Sequence, residues 1–480
     1  MQNKDSSAID WFQEVRLLVN IALPTVAIQF SIYFIYPQTA SVVGRNLGTE
    51  ELAGFSLASL TGNMSCLSII MGVLTAADTL MPRAFAVGNY REIGELAIRG
   101  FILCGMVLVI PLLLLGTAMD RIFHDLGQDP IAADLAANWL RIYILGVPFV
   151  LFFRTLQRFL ACQHIVWPML CSAVIGCFLI HPLLLRLFVP SFGFDGSGFA
   201  IVLTQMMQAM LVLVYIHWKP SYKAESWPGL SLSAISEAVS LGPMVTFISL
   251  SSGGLLSMSE WYFWEAICFL VGHLGVVPLC IHSIAYNLIP VMFMIPLGLS
   301  IGLSIRIGHV LGESVKKAQL LAAGCMGCAI MVALVLVTTI YRLQDEIIGL
   351  FSKDKEVVEG CQKIWFNVCI YIVMIFIFGI NSGIMRALGL QWKLAAVICT
   401  ILWCIALPVI VHVAIRKGGG VPAIWDHLPI FYAILNAIIV IVYTTADWQR
   451  ISDSIQERKM SLNDSFISET TALVTGNNEE

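Results

Sequence analysis

Apolar residues run through this chain in blocks of twenty or more, separated by short polar stretches. A helix needs about 20 such residues to cross a bilayer. Blocks near 17–37, 52–80, 96–118, 137–160, 165–189 and 196–218 predict six spans, and blocks near 238–271, 279–305, 317–341, 360–388, 393–415 and 423–446 predict six more. The more polar stretch 219–237, with Pro220, Trp227 and Pro228, reads as a linker between the two sets. Residues 1–16 form a polar lead-in, and 447–480 read as a mostly disordered tail in which Glu469–Val474 loosely resembles an acidic sorting signal. The expected fold class is all-α and integral to the membrane, with twelve transmembrane helices in two pseudo-symmetric six-helix bundles over 17–218 and 238–446.

The two sets echo each other. Val43, Gly44, Leu47, Gly48, Leu52, Ser56 and Ala58 recur as Val271, Gly272, Leu274, Gly275, Leu279, Ser283 and Ala285. Arg158, Leu160 and Gln163 recur as Arg386, Leu388 and Gln391, so the offset stays at 227–228 residues. Six spans per repeat give both repeats the same orientation, with a cavity between bundles that rocking opens to each side in turn.

Composition removes the soluble alternatives. With 58% hydrophobic and 12% charged residues, the chain has more apolar surface than soluble domains can hide. The first block follows Lys4, Asp5, Glu14 and Arg16 and runs past Ile35 without a small-residue cleavage site, so it reads as a span and not a signal peptide. With the N-terminus inside, the inner loops and helix ends hold seventeen Lys and Arg against ten outside, which places both termini in the cytosol. A net charge of −4 without a basic cluster gives no sign of nucleic acid. The thirteen cysteines sit mostly in apolar blocks, and Cys325 and Cys328 have no second pair nearby, so neither disulfide, metal nor cofactor is expected. No nucleophile–base pattern suggests an enzyme. No phosphate-cradling G-x-x-x-x-G-K-[ST] loop occurs either, so pumping must draw on an ion gradient.

Intramembrane ionisable residues are costly and are functional candidates by default. The seventh span reads GGLLSMSEWYFWEAICFLVG and carries Glu260 and Glu265. Five residues make ~7.5 Å of rise and under one and a half turns, so on a regular helix the two carboxylates face different ways. One can face the cavity while the other braces a neighbour. His282 and Tyr286 share a helix face in the next span, followed by Asn287. His282 is a candidate proton carrier beside Glu260 and Glu265, and Tyr286 can stack on an aromatic or cationic solute. Trp261 and Trp264 adjoin the two carboxylates and suit either a substrate or an interfacial anchor, and His181 is a weaker candidate. Asp78, Arg83 and Arg91 close the second span and suit a loop or gate. Pro24 and Pro37 in the first span, and Ser251, Ser252, Gly253 and Gly254 in the seventh, let the first helix of each half bend near the cavity.

At these residues the sequence resembles the multidrug and toxic compound extrusion (MATE) family, in its eukaryotic branch. The stretches VVGRNLGTEELAGFSLASL and ADTLMPRAFAVGNYREIG look like that family's first-half signature, and SEWYFWE, LVGHLG and LSIRIGHVLGES like its second-half patterns. LQRFLACQHIVWPM and GIMRALGLQ match the paired motifs after spans four and ten, and the likeness covers about residues 14–415. The resemblance implies two six-helix bundles, alternating access and antiport of organic compounds against protons. It maps Glu260, Trp261 and Glu265 onto the carboxylate motif of helix seven and Tyr286 onto a cavity aromatic. Arg306 lies in the LSIRIGHVLGES motif and joins Pro24, Asp78 and Arg83 as a gating or structural residue. The chain departs from the family where Asn287 replaces an acid of many animal members and where Ile375 replaces the Glu or Asp eleven residues before Arg386. Thr39 stands where many prokaryotic members have Asp. Two carboxylates instead of four shift the expectation toward neutral or anionic solutes.

The leading reading is a proton-coupled antiporter exporting organic solutes or xenobiotics, monomeric in lipid, from a plasma, vacuolar or vesicular membrane. Its partners are a small organic substrate, protons and membrane lipid. The alternative is a flippase for an amphiphilic lipid-linked molecule, which would want basic residues for phosphate where the mid-span regions here read as acidic or neutral. A receptor or assembly protein on a transporter scaffold would need a large soluble domain that the sequence lacks.

Overall fold

A computed structural model describes residues 11–219, 222–229, 231–351 and 354–476, all helix and connecting turns. Lys4, Asp5 and Pro220 lie outside them. Eleven described helices are long and apolar enough to cross a membrane. One of them, Trp167–Trp218, has 52 residues, about twice what a span needs. It contains non-helical Gly193 (φ 60°, ψ −133°), where the chain doubles back. Splitting it there gives twelve spans: α1 (Trp11–Asn46), α2 (Thr49–Val87), α3 (Tyr90–Thr117), α4 (Pro130–Ala161), α5 (167–192) and α6 (194–218) in the first half. The second half holds α7 (Leu241–Gly272), α8 (Val276–Val310), α9 (Val315–Arg342), α10 (Lys355–Leu388), α11 (Gln391–Arg416) and α12 (Gly420–Thr444).

Local sequence sets the helix starts. Asn89 accepts from the Glu92 amide and Asp129 from those of Ile131 and Ala132, ahead of Pro130 at the first helical position. Ser314 and Asp354 cap α9 and α10 in the same way. The repeated glycines have a conformational reason. Gly48 (φ 150°) precedes α2 and Gly275 (φ 115°) precedes α8, and side chains rarely adopt such φ values.

Each half has its own apolar core. Phe55, Trp139, Leu140 and Tyr143 anchor the first, and Phe263, Trp365, Phe376 and Trp425 the second. The halves meet where α1 crosses α8 and where α7 crosses α2. The bend in α7 is not at Gly253 and Gly254, where the sequence suggested weakness, but at Met258, between helical stretches Leu241–Ser257 and Ser259–Gly272. The glycines serve close approach instead: a Cβ on Gly254 would lie 1.8 Å from Thr75 Oγ1 and 2.4 Å from the Gly72 carbonyl. Likewise α1 stays one helix through Pro24 and Pro37. Pro24 is buried between Ala22 and Val26, whose backbones abut Gly302 and Gly298 of α8.

The tail corrects a further expectation. Residues Trp448–Gly476 form a helix, α13, and not a disordered segment. Trp448, Ile451, Ile455 and Leu462 recur at helical spacing and pack beside Val87, Leu311 and Val315. Arg458 reaches Glu92 of the first half at 2.6 Å, and Gln456 donates to the Gly312 carbonyl of the second. The start of α1 lies on this same face, because Glu14 pairs with Arg306 and Lys317. We call it the terminal face.

Candidate functional site

A cleft of about 650 Å³, part of it open to solvent, lies between the bundles. Met71, Thr75, Asp78 and Arg158 line it from the first bundle. Glu260, Trp261, Phe293, Ser300, Phe378 and Arg386 line it from the second.

Glu260 arrives there because of the bend at Met258. It falls in the first turn of the restarted helix, where partly free N–H groups favour a negative charge. Its side chain is buried, and the Tyr432 hydroxyl of α12 donates to Oε1 at 2.5 Å. Trp264 Nε1 in turn donates to Tyr432 at 3.1 Å, and the Tyr371 ring stands edge-on to Tyr432 at 4.8 Å. These links tie one carboxyl to three helices of the second bundle.

Glu265 is directed elsewhere. It accepts a 2.8 Å hydrogen bond from Tyr286 of α8, is half-buried and does not line the cleft. His282 is buried among the rings of Trp264, Tyr286 and Trp425, with Nε2 3.5 Å from the Cys268 sulfur and Nδ1 without a partner. Asn287 is exposed and donates back to the Ser283 carbonyl. The structure thus brings Glu260 and Trp261 to the cleft, and gathers Glu265, His282 and Tyr286 behind them. Ile375 is packed in the second apolar core. Thr39 and His181 bond each other at 2.8 Å, and Thr204 takes the other ring nitrogen of His181, all inside the first bundle.

The cationic residues differ most from the sequence reading. The cleft is not lined by acidic and neutral residues alone, because Arg158 and Arg386 both line it. Their shared position in the repeat was visible, but both stand near the ends of their spans and read as motif residues following a helix. Asp78, taken as a gate residue, forms a buried ion pair with Arg158 at 2.9 Å on the cleft wall. Tyr432 and Tyr371 gave no sequence signal beyond a hydroxyl in an apolar block.

Bonds between the halves concentrate toward the terminal face. Tyr262 donates to the Met64 carbonyl at 2.8 Å and Ser251 to that of Val73 at 2.9 Å. Further down, Thr79 donates to the Arg386 carbonyl at 2.6 Å and receives from Gln391 at 2.7 Å. Arg83 donates to the Ala387 carbonyl, and Arg306 pairs with Glu14. Beside them, the rings of His164 and His309 face each other at 4.7 Å with Phe85 against both. Arg91 bonds Glu237, on the surface. The two bundles are therefore latched on the terminal side of the cleft.

A family model described as MatE matches residues 24–185 and 255–411. An uncharacterized transporter of Schizosaccharomyces pombe is 29% identical over 93% of this chain and 83% of its own length. Multidrug and toxin extrusion protein 1 of Danio rerio is 27% identical, over 92% of this chain and 74% of its own. The crystal structure of the eukaryotic MATE transporter AtDTX14 superposes with a TM-score of 0.86 at 20% identity, covering 93% of this chain and 99% of that one.

Proposed function

The chain belongs to the MatE family of transporters, and from that premise we propose that it is a proton-coupled antiporter exporting organic solutes by alternating access. The observation that carries this reading is Glu260: of Glu260, Glu265 and His282, it alone lines the cleft between the bundles. A carboxylate there attracts the cationic part of a solute. Once protonated it no longer does, so proton and solute compete for one group, and competition is what exchange requires. Tyr432 can hold the carboxyl in both states, donating to the carboxylate and accepting from the acid. Glu265, His282 and Tyr286 stand behind it, with Trp261 as the aromatic surface in the cleft.

Alternating access asks the terminal latch to break in the opposite state. The Arg83–Ala387 and Arg306–Glu14 links, Thr79 and Gln391 are the bonds that would part, and the break in α7 at Met258 is a place where the motion could be taken up. We assign the terminal face to the cytosol from the excess of Lys and Arg on that side.

The test is uptake of organic cations, zwitterions and neutral solutes by sealed vesicles with an imposed pH gradient. Transport should collapse with a protonophore and persist without ATP. Transport that follows ATP in protonophore-treated vesicles would overturn the reading. The alternative, a flippase for a lipid-linked phosphate, draws on Arg158 and Arg386 in the cleft. Translocation of a fluorescent lipid-linked phosphate with no pH gradient would decide for it.

A further inference from the structure

We propose that the cleft is a zwitterion site, in which Arg386 takes the carboxylate of a small organic solute and Glu260 takes its cationic group. This rests on the antiport reading and names its substrate class. The charges on the cleft wall are four. Asp78 and Arg158 neutralise each other in their ion pair at 2.9 Å. Glu260 and Arg386 remain, and each is held by a neutral hydroxyl: Glu260 by Tyr432 at 2.5 Å, Arg386 Nη2 by Ser300 at 2.7 Å. Arg386 is only 7% exposed, its Nε is buried without a partner, and no carboxylate of the described residues stands within ion-pair distance.

A buried guanidinium with no ion-pair partner of its own is costly, and a planar carboxylate is the group its fork fits best. Among the described residues, the acid of the first bundle whose charge reaches Arg386 is Asp78, and it is already paired with Arg158. Arg154, one turn before Arg158, is held by the amide oxygens of Gln29 and Gln157. An anionic solute therefore gains at Arg386.

Exchange constrains the rest of the molecule. For a purely anionic solute, protonating Glu260 would strengthen binding, so proton and solute would travel together. A purely cationic solute would meet Glu260 but be repelled by Arg386. A solute bearing both charges satisfies Arg386 and still competes with the proton at Glu260. That combination alone fits both charged walls and opposite movement of proton and solute.

The experiment measures binding to the purified full chain in phosphatidylcholine nanodiscs, with no gradient. The probes are leucine, phenylalanine and tryptophan, each with its methyl ester (cation only) and N-acetyl derivative (anion only). The parent amino acids are expected to bind about tenfold or more tightly than either derivative, since each derivative leaves one buried charge unmet. Arg386→Gln should erase the preference over the ester, and Glu260→Gln the preference over the N-acetyl form. Arg386→Lys should keep part of the preference. Ser300→Ala, which frees the guanidinium without removing it, serves if the Arg386 variants do not fold, and it should weaken zwitterions more than esters. Esters binding as tightly as parents, no binding by any parent, or preferences unchanged in the variants would each overturn the proposal. Expulsion of a cationic dye on a pH gradient, without zwitterion binding, would leave the antiport reading standing and remove this inference alone.

Discussion

Arg83 on α2 donates Nη2 to the backbone carbonyl of Ala387 at the end of α10, 2.7 Å away, and so joins the two bundles on the terminal side of the cleft. Both partners are fixed by their own helices, and Thr79 and Gln391 bond beside them. The link is a charge-assisted bond across the interface of the bundles, so opening that face would break it.

Arg83→Ala should therefore favour opening of the terminal face. A hydrogen bond to a charged group contributes about 1.5–3 kcal/mol, which corresponds to roughly a tenfold to hundredfold shift in the closed-to-open ratio. Hydrogen exchange at the amides of 384–391 should rise by a comparable factor, while exchange in the bundle cores around Trp139 and Trp365 stays unchanged. Equal protection in the variant would remove Arg83 from the latch.

The tail helix gives a second prediction. Ile455 is buried against Gly312, where an added Cβ would come within 2.6 Å of its side chain. Burying such a side chain contributes about 1.5–3 kcal/mol. Ile455→Glu should release α13 from the terminal face and make the chain beyond Trp448 sensitive to protease, with the twelve spans intact. A tail as resistant as in the parent would show that Arg458 and Gln456 hold it without Ile455.

The spans and the repeat were legible because they rest on strong local signals. Twenty-residue apolar blocks have one stable solution in lipid, and Gly48 and Gly275 recur because the same turn recurs. The tail was missed because its polarity hid a four-residue apolar stripe. Arg158 and Arg386 were missed as cleft residues for a geometric reason: where α4 and α10 meet the cavity depends on how the bundles pack, and no local pattern encodes that. The direction of Glu260 was open for the same reason, since a one-residue bend at Met258 decides which carboxylate faces inward.

His164 should make closure of the terminal face depend on pH. It lies in the connection between α4 and α5, in the left-handed region (φ 63°), with its ring against His309 and Phe85. Burial, and then the Arg306 guanidinium, hold its pKa below the ordinary value. A His whose pKa is lowered in the packed state favours that state fully above its free value of ~6.5. The contribution is lost as pH falls through the lowered value. Protection at the amides of 162–166, measured relative to the intrinsic exchange rate at each pH, should thus fall on acidification from about pH 7.5 to 5. His164→Asn tolerates the same backbone and should flatten that dependence at this site. A flat profile in the parent would count against any role for this ring pair.

The last prediction separates the two carboxylates of α7. Glu260→Gln keeps the size of the side chain and a carbonyl oxygen for the Tyr432 hydroxyl, but it cannot titrate. If Glu260 exchanges the proton, the variant should fold, reach the membrane and lose pH-driven transport down to the protonophore-treated level. Glu265 lies behind the cleft and is held by Tyr286, so Glu265→Gln should slow transport without abolishing its dependence on the gradient. Tyr432→Phe leaves the Glu260 carboxyl in place but removes its donor, which should favour the protonated form and move the pH of half-maximal transport upward. The check is initial rate against external pH in vesicles carrying equal amounts of each variant. Normal transport by Glu260→Gln together with complete loss in Glu265→Gln would place the proton one and a half turns away, at the Tyr286 pair, and the competition argued for the cleft would then have to act through α8.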